Sequence, residues 1–342
     1  FVPLFKNYND FTTLHLEYKL HTYYILSFKE AVSNFDELIQ GLEAISIIDG
    51  IELNYKASAF LVPNDNYYTE QWALNNTGQA DHYNGGNVGT PGCDIDAERA
   101  WDITIGDRDV VIAILDTGID LDHPDLEDKL VGGYDFVNND STPNDGHMHG
   151  TACASIAAGS TNNGIGVSGV CWECSLMPVK VLSDAGYGEF DDIINGVEWA
   201  SDNGADIISM SLGGGGYQSA FDNAIDYAVA NGTAVFAASG NDNSGNLSYP
   251  AGYDNCIAVG AMSPCNERKN LSSCDGENYW GSNYGSDLDF VTPGVRIHTI
   301  TSSGGYTSTF NGTSSACPHA AGIAGLILSI APLMTPEQVR LV

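Results

Sequence analysis

Three short segments of this 342-residue chain carry side chains able to make and break covalent bonds. Asp116-Thr117-Gly118 sets a carboxylate at the end of the apolar run Val110–Leu115. His147-Met148-His149-Gly150-Thr151 supplies two imidazoles ahead of the small-residue run Ala152–Gly159. Asn311-Gly312-Thr313-Ser314-Ser315-Ala316-Cys317-Pro318-His319 supplies hydroxyls, a thiol and a third imidazole. A serine hydroxyl is a weak nucleophile at neutral pH, so Ser314 needs a base to take its proton as it attacks a carbonyl. Histidine titrates in the range that lets it accept that proton and return it to a leaving group. His147, His149 and His319 compete for this role. A buried carboxylate such as Asp116 would hold the ring's tautomer and stabilise its charged form. Cys317 is a rival nucleophile. Taken singly, each residue reads equally well as a turn cap, a core histidine or a helix cap.

The elements that must position these groups alternate. Val110–Leu115 reads as a buried strand, and Phe190–Ala200 as an amphipathic helix with Phe190, Ile193, Ile194, Val197 and Ala200 on one face. Asp206–Leu212 is the next strand, Ala220–Ala230 the next helix and Thr233–Ala238 a further strand. This order predicts an α/β fold, a mostly parallel sheet with helices on both faces. Sites in such sheets gather at the carboxyl ends of strands, where Asp116 and the turn Ser239–Asn241 both fall. The apolar segment Ala320–Ile330 predicts a buried helix with Pro318 in its first turn. Ser314 then lies near a helix N-terminus, where N–H groups favour developing negative charge. No G-x-G-x-x-G follows the first strand, which argues against a dinucleotide fold.

Residues 1–56 have a different texture. Thr22–Phe28 and Ile47–Tyr55 read as strands flanking a helix over Asn34–Ile45, with Asn34 and Glu37 at its N-cap and N3 positions. A βαβ piece of this size is marginal alone. Residues 57–92 read as a polar connector, so two domains are expected, a small α+β module over 1–60 and a larger one over 61–342.

The chain has 44 acidic and 12 basic residues, a net charge of −32, which excludes nucleic acid as a partner. Saline surroundings or cation binding would each suit such acidity. The longest apolar stretch, Ala320–Ala331, is too short to span a bilayer. Eight cysteines permit disulfides. Cys171 with Cys174, and Cys265 with Cys274, read as local staples of an oxidising compartment, a zinc site being the other reading of the first pair. Cys153 and Cys317 read as buried thiols, and Cys93 and Cys256 have no assigned partner.

The motifs D-T-G, H-G-T and G-T-S-x-A-x-P-H, in this chain order, resemble those of the subtilisin-like serine proteases, the subtilases of peptidase family S8. The resemblance spans about 61–342. It selects His149 as the base, because the family's histidine immediately precedes Gly-Thr, and it implies a serine endopeptidase with Asp116, His149 and Ser314 as its triad. The Asn241 amide and the Ser314 N–H would then bind the oxyanion. A substrate strand would lie between Gly186-Tyr187-Gly188 and Ser211-Leu212-Gly213. Ala238, Ser239, Gly240 and Ser248 would frame an S1 pocket, and Phe190, Ile193 and Leu212 an apolar S4 pocket. A structural Ca²⁺ would be held by Asp65, Asp125 and the Asn163 side chain, with carbonyls from Thr161, Ile165 and Val167. Residues 1–60 resemble the latter part of a subtilase propeptide, an intramolecular chaperone and inhibitor removed by self-cleavage. The resemblance thus implies a secreted, monomeric zymogen acting on proteins or peptides, with no membrane partner. The alternative is a catalytically silent subtilase fold that binds calcium or a partner.

Overall fold

Residues 1–59 and 60–342 form two units, and the computed structural model describes residues 2–5, 11–28, 35–52, 61–79 and 89–342. In the first unit, β1 (Val2–Pro3) pairs antiparallel with β2 (Tyr24–Ile25), accompanied by α1 (Thr13–Glu17) and α2 (Phe35–Glu43). Among the described residues, the β-rich Thr22–Phe28 yields a strand of two residues, paired with Val2–Pro3. No strand forms over residues 47–52, which run as turn and irregular chain with Ile47 88% exposed. The expected βαβ order is therefore replaced by a short antiparallel pair. Residues 53–55 and the Asn34 cap lie outside the described residues. Leu38, Ile39 and Leu42 are half-buried on one face of α2, but none of the described residues of this unit is fully buried. So small a chain has too little interior to cover its apolar side chains.

The second unit is built on a parallel sheet. Its strands are β3 (Val111–Asp116), β4 (Tyr134–Asp135), β5 (Ser175–Lys180), β6 (Ile207–Met210), β7 (Ala234–Ala238), β8 (Ile257–Ser263), β9 (Glu267–Arg268) and β10 (Phe290–Pro293). Their order across the sheet is β10-β8-β7-β6-β3-β5-β4, with β9 antiparallel on β8. The pleat sends alternate side chains to opposite faces. Ile112 and Ile114 of β3 join one core, and Ala113 and Leu115 the other. The first core holds helices α3 (Ala97–Trp101), α4 (His149–Ala158) and α7 (Thr313–Ile330); the second holds α5 (Phe190–Asp202) and α6 (Ser219–Ala230). A hairpin of β11 (Ile297–Thr301) and β12 (Gly305–Phe310) adds to the first face, and α8 (Pro336–Arg340) follows α7. Burying each large aliphatic side chain contributes roughly 1.5–3 kcal/mol. Two full faces therefore stabilise this unit.

Three expectations are revised here. Residues 61–76 are not a free connector: Tyr68, Trp72, Ala73 and Leu74 are buried, and the Trp72 indole N–H donates to the Val295 carbonyl at 2.9 Å. The buried helix is longer than expected. With 18 residues, α7 has the length and hydropathy of a membrane span, yet 72% of it lies inside the unit, as a core helix does. Pro318 consequently sits in its second turn, inside the helix. Cys171–Cys174 and Cys265–Cys274 are disulfide-bonded, while Cys93, Cys153, Cys256 and Cys317 are free and buried.

The sheet order also fixes where a site can lie. After β3 the chain builds β5 on one side and β6 on the other. The carboxyl end of β3, where Asp116 stands, is thus a topological switch point.

Candidate active site

Asp116 is fully buried at the end of β3, and both its oxygens meet His149 Nδ1, at 2.8 and 2.9 Å. His149 opens α4, so a strand end and a helix start together set this pair. Burial opposes charging the ring, but the Asp116 carboxylate outweighs it, with a smaller contribution from Cys153, and the imidazole is held well above its usual range. Ser314 is the second residue of α7, and its hydroxyl donates to the Ser211 carbonyl at 3.2 Å. Pro318 has no N–H to give the Ser314 carbonyl four residues back. That carbonyl instead accepts from the Ser211 hydroxyl at 2.8 Å and the Cys153 thiol at 3.5 Å. An interior proline is tolerated because its orphaned acceptor is satisfied from β6's end.

The rival groups are placed elsewhere. His319 is buried, donates from Nδ1 to the Ser315 carbonyl at 2.8 Å, and desolvation takes it down to about 4. Cys317 is wholly buried against Ser209 and is pushed up to about 12, where it stays a thiol. His147 is exposed at the cleft edge, its ring 6.3 Å from that of His149.

His149, Ser314, Asn241, Gly186, Tyr187, Gly188, Phe190, Ile193, Ser211, Leu212, Gly213, Ala238, Gly240 and Ser248 line one cleft of about 710 Å³. Ser239 does not: it is buried behind the wall, its hydroxyl turned to the Asn283 carbonyl at 3.4 Å. Asn241 Oδ1 accepts from the N–H of Thr313 at 2.8 Å and from its hydroxyl at 3.1 Å. With the oxygen so held, the amide N–H groups are the donors left for the cleft. Glycines 188 and 213 owe their lack of a side chain to the protein's own packing. A Cβ would come 2.2 Å from the Val181 carbonyl at the first and 3.1 Å from the Tyr249 carbonyl at the second.

The expected cation ligands partly converge. Asp65 accepts from Asn162 N–H at 2.8 Å, Asn163 N–H at 3.0 Å and the Ser168 hydroxyl at 2.6 Å. Asp125 accepts from the Asn163 amide at 2.9 Å, Val167 N–H at 3.3 Å and the Tyr306 hydroxyl at 3.2 Å. At Gly166, a Cβ would fall 1.7 Å from Asp125 Oδ2, so the loop wraps the carboxylate as closely as a chain can. Asp65 and Asp125 are buried carboxylates from two separate segments that meet at the 161–167 loop; with the Asn163 amide oxygen, here accepting from the Ile165 N–H, they are hard oxygen donors of the kind Ca²⁺ takes. Thr161, Ile165 and Val167 share the loop.

Sequence reasoning passed over Asp145 and Lys180. Lys180 is buried in register with Asp116, and its amine reaches the Thr117 carbonyl at 2.5 Å and Asp184 at 2.7 Å. Asp145, four residues before His149, was legible only as an acid ahead of a helix.

The sequence pattern of the subtilase family, peptidase S8, matches residues 107–342. A thermophilic serine proteinase of Bacillus sp. (strain AK1) is 38% identical over 299 residues, covering 87% of this chain and 67% of that protein. Thermitase of Thermoactinomyces vulgaris is 43% identical over 235 residues, 69% of this chain and 80% of its own length. Among solved structures, a Pseudoalteromonas arctica protease superposes with a TM-score of 0.68 at 32% identity, over 81% of this chain and 90% of that one. With the family's pattern running through more than two thirds of its length, the chain belongs to the subtilase family and is a serine endopeptidase.

Proposed function

We propose that Ser314 is the nucleophile, His149 the general base and then acid, and Asp116 the residue that holds the ring and stabilises its charged form. The observation that carries this reading is the Asp116–His149 pair at 2.8 Å opening onto a cleft that also presents Ser314. The Ser314–Ser211 bond is long for an O–H···O bond, so the hydroxyl is cheaply released to a base. Attack on a peptide carbonyl gives a tetrahedral oxyanion. The Asn241 amide and the Ser314 N–H, in the first turn of α7, are the donors available to it. Collapse expels the amine, which takes its proton from His149, and water then cleaves the acyl-enzyme by the same route. Gly186–Gly188 and Ser211–Gly213 flank the substrate strand, with Ala238, Gly240 and Ser248 around the side chain before the scissile bond. Phe190, Ile193 and Leu212 serve a more distant apolar subsite.

Asp65, Asp125 and Asn163, with carbonyls of Thr161, Ile165 and Val167, would hold a Ca²⁺ that neutralises two buried carboxylates and stiffens the loop. Residues 1–60 act as a removable inhibitor, and the enzyme is a secreted, monomeric zymogen. Two disulfides suit an oxidising compartment. The exposed apolar side chains of the first unit suit a module made to dock.

The test is Ser314→Ala in the whole chain. Peptide cleavage disappears and residues 1–60 remain attached. A variant that matures alone by self-cleavage overturns the zymogen reading; one that still hydrolyses peptide overturns the nucleophile.

A further inference from the structure

The backbone directly before His149 is in a conformation its residue does not favour. Met148 lies at φ 94°, ψ −18°, the left-handed region that residues with a side chain rarely adopt, and as the residue preceding α4 it offers that helix no side-chain cap. Such a residue persists where its surroundings over-determine it. Here the side chain packs on the first core, and the turn's polar groups converge on one carboxylate. Asp145 is 4% exposed and accepts five hydrogen bonds. Its Oδ1 takes the N–H of His147 at 2.8 Å, the N–H of Met148 at 2.9 Å and the Thr117 hydroxyl at 2.9 Å. Its Oδ2 takes the N–H of Thr151 at 3.0 Å and the Thr151 hydroxyl at 2.6 Å. The Thr117 hydroxyl in turn accepts from Gly150 N–H at 2.9 Å. The donors come from the residue after Asp116 and from both sides of His149.

We propose that Asp145 is a positioning residue for the reaction: it fixes the left-handed turn at Met148, supplies the cap that α4 lacks, and locks both to Thr117. The direction of the His149 ring depends on two segments, the end of β3 and the start of α4, and this carboxylate ties them together alongside the direct Gly150–Thr117 bond. It acts through His149 and touches no substrate. The inference rests on His149 being the base.

Asp145→Asn keeps the shape but replaces one acceptor oxygen by N–H₂, which cannot accept from the Thr151 pair. The experiment measures kcat and KM separately on a peptide substrate, per titrated active site. A small error in the base's placement is expected to lower kcat about a hundredfold, with KM within about twofold. Putting Met148→Gly into that variant gives the turn a residue free to take positive φ, and should restore about tenfold of the loss. If Asp145→Asn does not fold, Thr117→Val cuts the same link from the other side and should cost about tenfold in kcat. Unchanged kcat per active site in Asp145→Asn overturns the proposal, as does unchanged kcat in a folded Thr117→Val or a double variant no faster than Asp145→Asn. Ser314→Ala run alongside separates the two readings. Residual turnover there sinks the triad, whereas a dead Ser314→Ala beside a fully active Asp145→Asn sinks only the positioning role.

Discussion

The two units of this chain treat apolar side chains in opposite ways. In residues 60–342, Ile112, Leu115 and Phe221 are wholly enclosed between a parallel sheet and its helices. In residues 1–59, Leu14 is 62% exposed and Tyr18 68%, beside Val2, Leu16, Tyr23 and Phe28 in a similar state. A layer of helices on each sheet face gives the larger unit an interior of its own, whereas none of the described residues of the smaller unit is fully buried. The difference teaches where the information for each fold resides. The larger unit is specified by its own pattern; the smaller exposes apolar side chains that our proposal of a docked inhibitor would have covered.

That contrast can be broken or sharpened by experiments of decreasing effect. The largest belongs to the site of the larger unit. Asp116→Asn should lower kcat about 10⁴-fold, since the ring loses its tautomer and its counter-charge. The same variant should move the acid limb of the kcat/KM profile. If His149 is the base it must be neutral to accept a proton, and Asp116 raises it, so on this proposal the wild-type loses activity as pH falls through a value above the ordinary histidine range. Removing the carboxylate shifts that limb to lower pH; a limb that stays put would show that another group governs it. Next, Asn241→Leu should cost about 10²–10³-fold in kcat with little change in KM, the loss known for the corresponding donor in subtilisin. A purely local turn residue would leave kcat intact.

Smaller effects concern stability. Chelating Ca²⁺ should remove about 2–3 kcal/mol if the ion is present at roughly a hundred times its Kd, seen as a lower unfolding midpoint by calorimetry. A midpoint indifferent to chelator contradicts the Asp65–Asp125 site. Within the core, Ile112→Ala should destabilise by about 2–5 kcal/mol, whereas Leu14→Ala, already solvated, should stay within about 0.5 kcal/mol. A comparable loss at Leu14 would mean that its side chain is covered in the working molecule, which sharpens the docking reading.

Much of this was legible in the sequence, and the reasons are local. Strands such as Val111–Asp116 are short, continuous apolar runs bounded by turn residues, and α5 repeats its apolar residues at helical spacing, so periodicity alone locates them within a residue or two. The proposed triad of Asp116, His149 and Ser314 could be named from the sequence because its motifs are compact. Thr22–Phe28 misled because composition reports what a segment would do beside a partner strand, and among the described residues it pairs with Val2 and Pro3 alone. Pro318 misled because the rescue of the Ser314 carbonyl comes from Ser211, more than a hundred residues away in the chain. Asp145 stayed hidden for the same reason: its meaning lies in donors from two segments that only the fold brings together.

The most direct measurement is mass spectrometry of the whole protein after reaction with a serine-directed phosphonyl fluoride. One adduct should form, on the peptide carrying Ser314, at a rate that falls as His149 becomes protonated, and activity should vanish in step with it. An adduct on any other residue, or full turnover by a chain quantitatively modified at Ser314, would contradict the account.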